Sequence, residues 1–229
     1  DGLVVQFRRR AGKWAQGNVA YTWSHARDLN QGAANNNLFI ATDTLRTLSN
    51  GNYAEQKGTS QLDQRHRLVI SGVIAPPRIK TASRAADTLV NGWNLSMIAT
   101  IASARYATPT LRVVSLPFSG AAFNNTLNGF GGDNRVPFWA RTSLPIDSIA
   151  RLDARLSKNF RLNERMSAMF LFEAFNVFNN VYNTSVFTEA FQARGAVITP
   201  VPYGGGSASQ GFPDGTNARR AQIGARFTF

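Results

Sequence analysis

The sequence predicts an all-β chain: an antiparallel transmembrane β-barrel fragment of about seven long strands, with short periplasmic turns and long extracellular loops. Three observations carry this expectation. Apolar and polar residues alternate at period 2 in seven places, over roughly ten residues each. The connecting segments are alternately short and long, the long ones near 40 residues. Compact soluble domains join their elements with about 4–6 residues, whereas outer-membrane barrels turn tightly on one side and loop widely on the other. The strands are also long: a tilted membrane strand needs about 9–11 residues, a soluble one about 5–6.

The first strand, about 2–10, sets Leu3, Val5 and Phe7 on one face. The second, about 14–25, alternates Val19, Tyr21 and Trp23 with Asn18, Ala20, Thr22 and Ser24. In the third, about 65–75, Leu68, Ile70 and Ile74 lie opposite Arg65, Arg67 and Ser71. The fourth, about 92–104, opposes Trp93, Leu95, Met97, Ala99 and Ile101 to Asn94, Ser96 and Thr100. The fifth, about 149–162, opposes Leu152, Ala154, Leu156, Phe160 and Leu162 to Arg151, Asp153, Arg155 and Ser157. The sixth, about 166–178, carries Met166, Ala168, Phe170, Phe172 and Ala174 against Ser167 and Glu173. The last, about 218–229, carries Ala221, Ile223, Ala225, Phe227 and Phe229 against Gln222, Gly224, Arg226 and Thr228. The short connections are 11–13, 76–91 and 163–165; the long ones are 26–64, 105–148 and 179–217. The long ones should share one end of the sheet and the short ones the other. Tyr21 and Trp23 near the long-loop end, and Trp93 and Phe160 near the short-turn end, fit two interfacial aromatic girdles.

Composition narrows the class. Of 229 residues, 43% are hydrophobic and 11% aromatic, which excludes a disordered chain. Charged residues are 17%, below the ~25% of soluble domains. Mean hydropathy is -0.21, and no apolar run approaches the ~18 residues of a membrane-spanning helix. Cysteine is absent, which excludes disulfides, thiolate metal sites and a cysteine nucleophile. Asp1-Gly2 opens directly into a strand, so an N-terminus cut from a longer chain is expected, without a signal peptide.

The net charge of +12 raises nucleic acid as a partner. Its distribution argues against that. The long loops balance their basic and acidic residues, and the excess lies on polar strand faces and short turns. Part of it, Arg8, Arg9, Arg10, Lys13, Arg78, Lys80 and Arg84, gathers at the short-turn end. His25 and His66 read as strand-end polar residues, because a metal site needs three or four convergent ligands. Arg151, Asp153 and Arg155 read as a lumen-wall network rather than a catalytic set. Gly204, Gly205 and Gly206 read as flexible loop, and the pairs and triplets of Asn (35–37, 124–125, 179–180) as turns. No hydrolase elbow, P-loop or dinucleotide fingerprint occurs, so no catalytic, cofactor or metal residue is assigned and an enzyme is not expected.

Six segments resemble, in order, motifs of TonB-dependent outer-membrane receptors of the Oar-like group, which carries a carboxypeptidase-regulatory-like domain. They are Tyr21-Thr22-Trp23-Ser24-His25-Ala26, Asp63-Gln64-Arg65-His66-Arg67, Gly92-Trp93-Asn94-Leu95-Ser96, the run 151–160, Glu173-Ala174-Phe175-Asn176-Val177-Phe178-Asn179, and the last eight residues. The loops match less well. The resemblance implies that residues 1–229 are the C-terminal part of such a barrel, about a third of 22 strands, with the plug and TonB box elsewhere. It implies energy-coupled uptake of a scarce extracellular ligand (siderophore, glycan or peptide). The implied partners are outer-membrane lipid, the barrel-assembly machinery and, through the plug, the TonB complex. The alternatives are a passive porin or structural adhesion barrel, an autotransporter-type barrel and, remotely, a soluble basic β-protein that binds nucleic acid.

Parity fixes further expectations. A three-residue loop 163–165 pairs Leu162 with Met166 and therefore Arg155 with Glu173, an opposite-charge pair on the lumen face. A loop 11–13 pairs Val5 with Val19 and Leu3 with Tyr21. Ile223, Phe227 and Phe229 share one register and resemble the C-terminal assembly signal of outer-membrane proteins.

Overall fold

The computed structural model describes residues 1–28, 54, 57–115, 135–136, 138–163, 165–194, 197–207 and 218–229. Arg46, Asp43, Glu55, Asp133, Asp214, Glu164 and the asparagines at 35–37 and 124–125 lie outside the described residues. Seven strands form one sheet: β1 Gly2–Ala11, β2 Ala15–Ser24, β3 His66–Ile74, β4 Trp93–Ala102, β5 Ile149–Arg161, β6 Ser167–Phe175 and β7 Arg220–Thr228. Each pairs antiparallel with its neighbour in chain order. This meander sends the three long connections from one end and the three short ones from the other. β1 and β7 are the edges of an open sheet.

Every pairing keeps the alternating apolar residues of the sequence pattern on one face, while Val69, Val73, Ile98, Met169 and Leu171 lie on the other. Phe7 faces Val19, Val19 faces Ile70, and Ile70 faces Ala99. Ala99 faces Leu152, Leu156 faces Phe172, and Phe172 faces Ile223. No layer covers that face among the described residues: Leu3, Phe7, Ile101, Phe170, Phe172, Ile223 and Phe227 are all exposed. A soluble sheet must bury its apolar face on another element, and this one does not. Among the described residues no helix is long and apolar enough to cross a membrane.

The turns set the registers. Leu162 N donates to Met166 O at 3.0 Å, and the Asn163 Oδ1 accepts from the backbone N of Arg165 and Met166 at 2.9 and 2.7 Å. This Asx turn closes the hairpin that sets Arg155 opposite Glu173. The first hairpin differs from expectation by two residues. β1 runs through Ala11, which pairs with Ala15, so Leu3 faces Trp23 and Val5 faces Tyr21. Gly12 takes the left-handed conformation (φ +61°) as the first loop residue, and the loop is 12–14 rather than 11–13. The shift by two preserves the faces.

The second short connection holds a helix the sequence did not announce, α1 Arg84–Val90. Ser83 caps it by accepting from Ala86 N at 3.1 Å. Asn91 ends it, and its side chain holds both backbone groups of Ile79, at 2.7 and 2.8 Å. Gly92 follows at φ +86°.

The long connections are not structureless. They carry the pairs 27–28 with 58–59, 106–107 with 144–145, and 185–186 with 206–207. A three-stranded sheet sets Thr110–Ser115 parallel to Glu189–Arg194, which pairs antiparallel with Val197–Pro200. Gly206 is therefore in a strand, not in flexible loop. Leu111, Val136 and Ala193 form the buried core, with Trp139 and Phe191 against it.

A Cβ at Gly92 would sit 2.5 Å from the Asn159 carbonyl oxygen, whereas at Gly205 it would meet nothing within 4 Å. Gly92→Ala should lower the denaturant midpoint of the refolded barrel, by at least ~1–2 kcal/mol from the left-handed backbone alone. Gly205→Ala should leave it unchanged. Equal midpoints for the two variants would contradict this geometry.

Candidate functional site

Two regions gather polar chemistry: the polar face of the sheet and the cap built by the long connections. On the polar face, Ser96, Arg155, Glu173 and Gln222 lie in one row across β4 to β7. Arg155 Nε donates to Glu173 Oε1 at 2.5 Å, and Gln222 donates to the other carboxylate oxygen. Glu173 is buried by its partners while Arg155 stays half-exposed. Such pairs on facing strands contribute about 0.2–1 kcal/mol each. Arg151 turns instead to Asp153 on its own strand, at 2.8 and 3.0 Å. Asp153 also accepts from Asn176 N at 2.8 Å.

Asparagines steer the chain out of β6. Asn176 and Asn179 both have positive φ, at 51° and 54°, which Asn tolerates better than most residues. Asn176 is fully buried and exchanges hydrogen bonds with the Asn180 backbone, while the Asn180 side chain donates to Ala150 O at 2.7 Å. The first two motifs perform the same task at the β2–β3–β4 rim. Asp63 is buried and accepts from Ala26 N at 2.7 Å. Ser24 Oγ donates to Gln64 O, Gln64 Nε2 to Ser103 O, and His66 N to Ser103 Oγ.

Each sequence-selected aromatic has a definite place. Tyr21, Trp23 and His66 share the apolar face at the long-loop end, and the Tyr21 hydroxyl lies 2.8 Å from His66 Nδ1. Trp93 and Phe160 lie on the same face at the other end. Between them sits Lys158, which the alternation did not single out. It faces Trp93 across the strands, yet it is buried. Its Nζ lies 4.5 Å from the Trp93 ring centroid and donates to Leu89 O at 3.1 Å and to Asn91 O. Ile223 and Phe229 are bare, and Phe227 meets Phe170 edge-on at 6.3 Å.

Sequence reasoning missed the cap. Its hinge pin is Arg141, from the second long connection, which pairs with Asp28 of the first and donates to Thr59 O at 3.0 Å. Arg141 is nine-tenths buried. Burial lowers its pKa, but a guanidinium remains charged. Thr142, held at φ 51°, donates through its hydroxyl to Thr59 O at 2.8 Å, and its N donates to Thr108 Oγ1 at 3.2 Å. The third connection joins through Asn183, whose N and Nδ2 reach Asp147 at 2.8 and 2.9 Å. Above this bracing, Trp139 packs edge-on against Phe191 and Tyr203, at 5.7 and 5.3 Å between centroids. The adjacent aromatics Phe138 and Trp139 in the second long connection were the available signal. Among the described residues no group of three His, Asp or Glu is placed to hold a metal ion.

Residues 1–199 match the family model described as an outer membrane beta barrel domain. No curated protein matches the chain, and no solved structure does.

Removing one partner of a buried ion pair costs ~3–5 kcal/mol. For Arg141→Ala that loss should appear in the cap: amide exchange at 58–60 and 139–144 should quicken more than about tenfold, with the seven-strand sheet unchanged. Arg112→Ala, which breaks an exposed contact of 3.9 Å to Glu189, should change neither. Exchange in the cap that ignores Arg141→Ala would show that the pair does not brace the connections.

Proposed function

The chain belongs to the outer membrane beta barrel domain family, a protein of the cell outer membrane, and from that premise we propose that it forms part of the barrel wall of a TonB-dependent receptor of the Oar-like kind. In this reading its apolar face meets lipid and its polar face lines the lumen. Closure is obligatory in a bilayer, where no sheet edge can stay unpaired. Strands outside these 229 residues would therefore complete the barrel, and the plug of the receptors it resembles would fill it. The function is energy-coupled uptake of a scarce ligand, a siderophore, glycan or peptide, captured at the long-loop end.

One observation carries the proposal. Residues of the motifs that resemble those of such receptors, Asp63, Gln64, Ser24, Glu173, Asn176 and Asn179, are joined by hydrogen bonds at the strand ends or across the lumen row. They make a firm rim on which three braced connections form an external cap. In this reading the barrel wall acts by binding and shape.

A porin and a plugged receptor differ in two measurements on the full-length protein. Reconstituted in liposomes, a plugged receptor should give no swelling in arabinose. In cells it should crosslink to TonB. Swelling at a rate set by sugar size would establish a passive porin, and closed liposomes without a TonB crosslink would favour the structural or adhesion barrel.

A further inference from the structure

The connection 76–92 does more than join β3 to β4. Three features place it at the membrane boundary. First, α1 is fixed to the lipid-facing side of the sheet. Trp93 Nε1 and Lys158 Nζ, both on that face, donate to Leu89 O at 2.9 and 3.1 Å. Second, Ile79, Leu89 and Val90 are exposed, and the pinned helix end makes the latter two continuous with the apolar band that ends at Trp93 and Phe160. Third, an open groove of about 610 Å³ separates the 78–83 segment from α1 and is lined by Arg78, Lys80, Arg84 and Asp87.

The groove has a rigid frame and an unbalanced charge. Asn91, itself buried, grips Ile79 through both backbone groups and donates to Asp87 at 2.7 Å. That hydrogen bond first, and then Arg78 at 2.6 Å, hold the Asp87 carboxyl below its usual range against the opposing effect of burial. Asp87 is thus ionised and matched by Arg78. Among the described residues, Lys80 and Arg84 have no acidic partner in the groove.

We propose that this groove docks the headgroup of an anionic phospholipid of the periplasmic leaflet. Lys80 and Arg84 meet the phosphate, and Leu89, Val90 and Ile79 enter the acyl boundary. Short turns lie on the periplasmic side of such barrels. Cations beside an apolar surface suit an anionic headgroup above its chains, because basic side chains attract anionic lipid while their neighbours bury apolar area. Lys158 is the pin rather than the ligand, since carbonyls and rings already surround it. The inference rests on membership of the outer-membrane family and not on the uptake reading.

The test uses the full-length protein refolded into mixed phosphatidylethanolamine and phosphatidylglycerol vesicles, then extracted in mild detergent. The wild type should retain phosphatidylglycerol selectively, and Lys80→Gln with Arg84→Gln should retain at least about fivefold less, the effect of losing one surface cation's attraction. Arg112→Gln, at the opposite end, should retain as much as wild type. Equal retention by the doubly substituted protein overturns the proposal. A second measurement does not depend on that variant. This chain contributes no cysteine, so Leu89→Cys in a full-length background cleared of any other cysteine accepts a nitroxide at one place. Collisions with oxygen should exceed those with a water-soluble nickel chelate; the reverse order would put the helix in the periplasm, open to a soluble partner, and end the lipid assignment.

Discussion

One constraint organises the molecule: a single sheet must present one unbroken apolar face while pairing every interior backbone group. In a bilayer neither requirement can be relaxed, because no water is present to satisfy an orphaned amide. Side chains alternate with period 2, so a slip of one residue at any pairing would turn a whole strand's apolar set into the lumen. Each connection, short or long, must therefore return the chain with the correct parity. β1 and β2 carry their apolar residues at odd numbers and β5 and β6 at even numbers, and both hairpins close accordingly. β2 and β3 differ in parity, and the long connection between them compensates, so Tyr21 still meets Leu68. The Asx turn at Asn163 and the left-handed Gly12 are local devices that serve this global rule.

The same rule governs what is legible in the sequence. Seven strands and their faces can be read because alternation sustained over ten residues suits neither a helix nor an irregular segment. The Arg155–Glu173 register follows from parity and a tight turn, and the structure pairs those residues. The first hairpin lies two residues from the register that a loop 11–13 predicts, because a two-residue shift leaves every face intact. The left-handed conformation of Gly12 as first loop residue accompanies the register that forms. α1 is too short, at seven residues, to show a 3.6-residue period. Lys158 hides for a different reason. Alternation puts it toward lipid, an expensive place for a cation. Its long stem lets the charge reach helix carbonyls and aromatic faces at the boundary.

The candidate site divides along the same line. The motif residues are visible in the sequence, but their work is architectural: they tie strand ends together and start and stop β2, β3 and β6. The cap is invisible there because its contacts are non-local. Arg141 reaches Asp28 across 113 positions, and Thr110–Ser115 runs parallel to a segment nearly eighty positions away. No short-range pattern encodes such a meeting. The consequence is a molecule with an inverted interior. Among the described residues its large sheet buries little apolar surface beyond Ala102 and Ala168, and the packed core of Leu111, Val136 and Ala193 lies in what the sequence presents as loops.

The two ends of the barrel wall are therefore built on different principles. At the long-loop end, charge is balanced and order comes from a small packed core and a buried ion pair, which suits a surface that must hold its shape in water. At the short-turn end, cations outnumber anions and order comes from Asn91, Lys158 and Trp93 clasping one short helix to the lipid-facing edge. A cap needs an interior because water surrounds it; a foot needs only one firm side because the bilayer supplies the other. That difference follows from the solvent each end meets, and it accounts for α1 having no buried residue of its own.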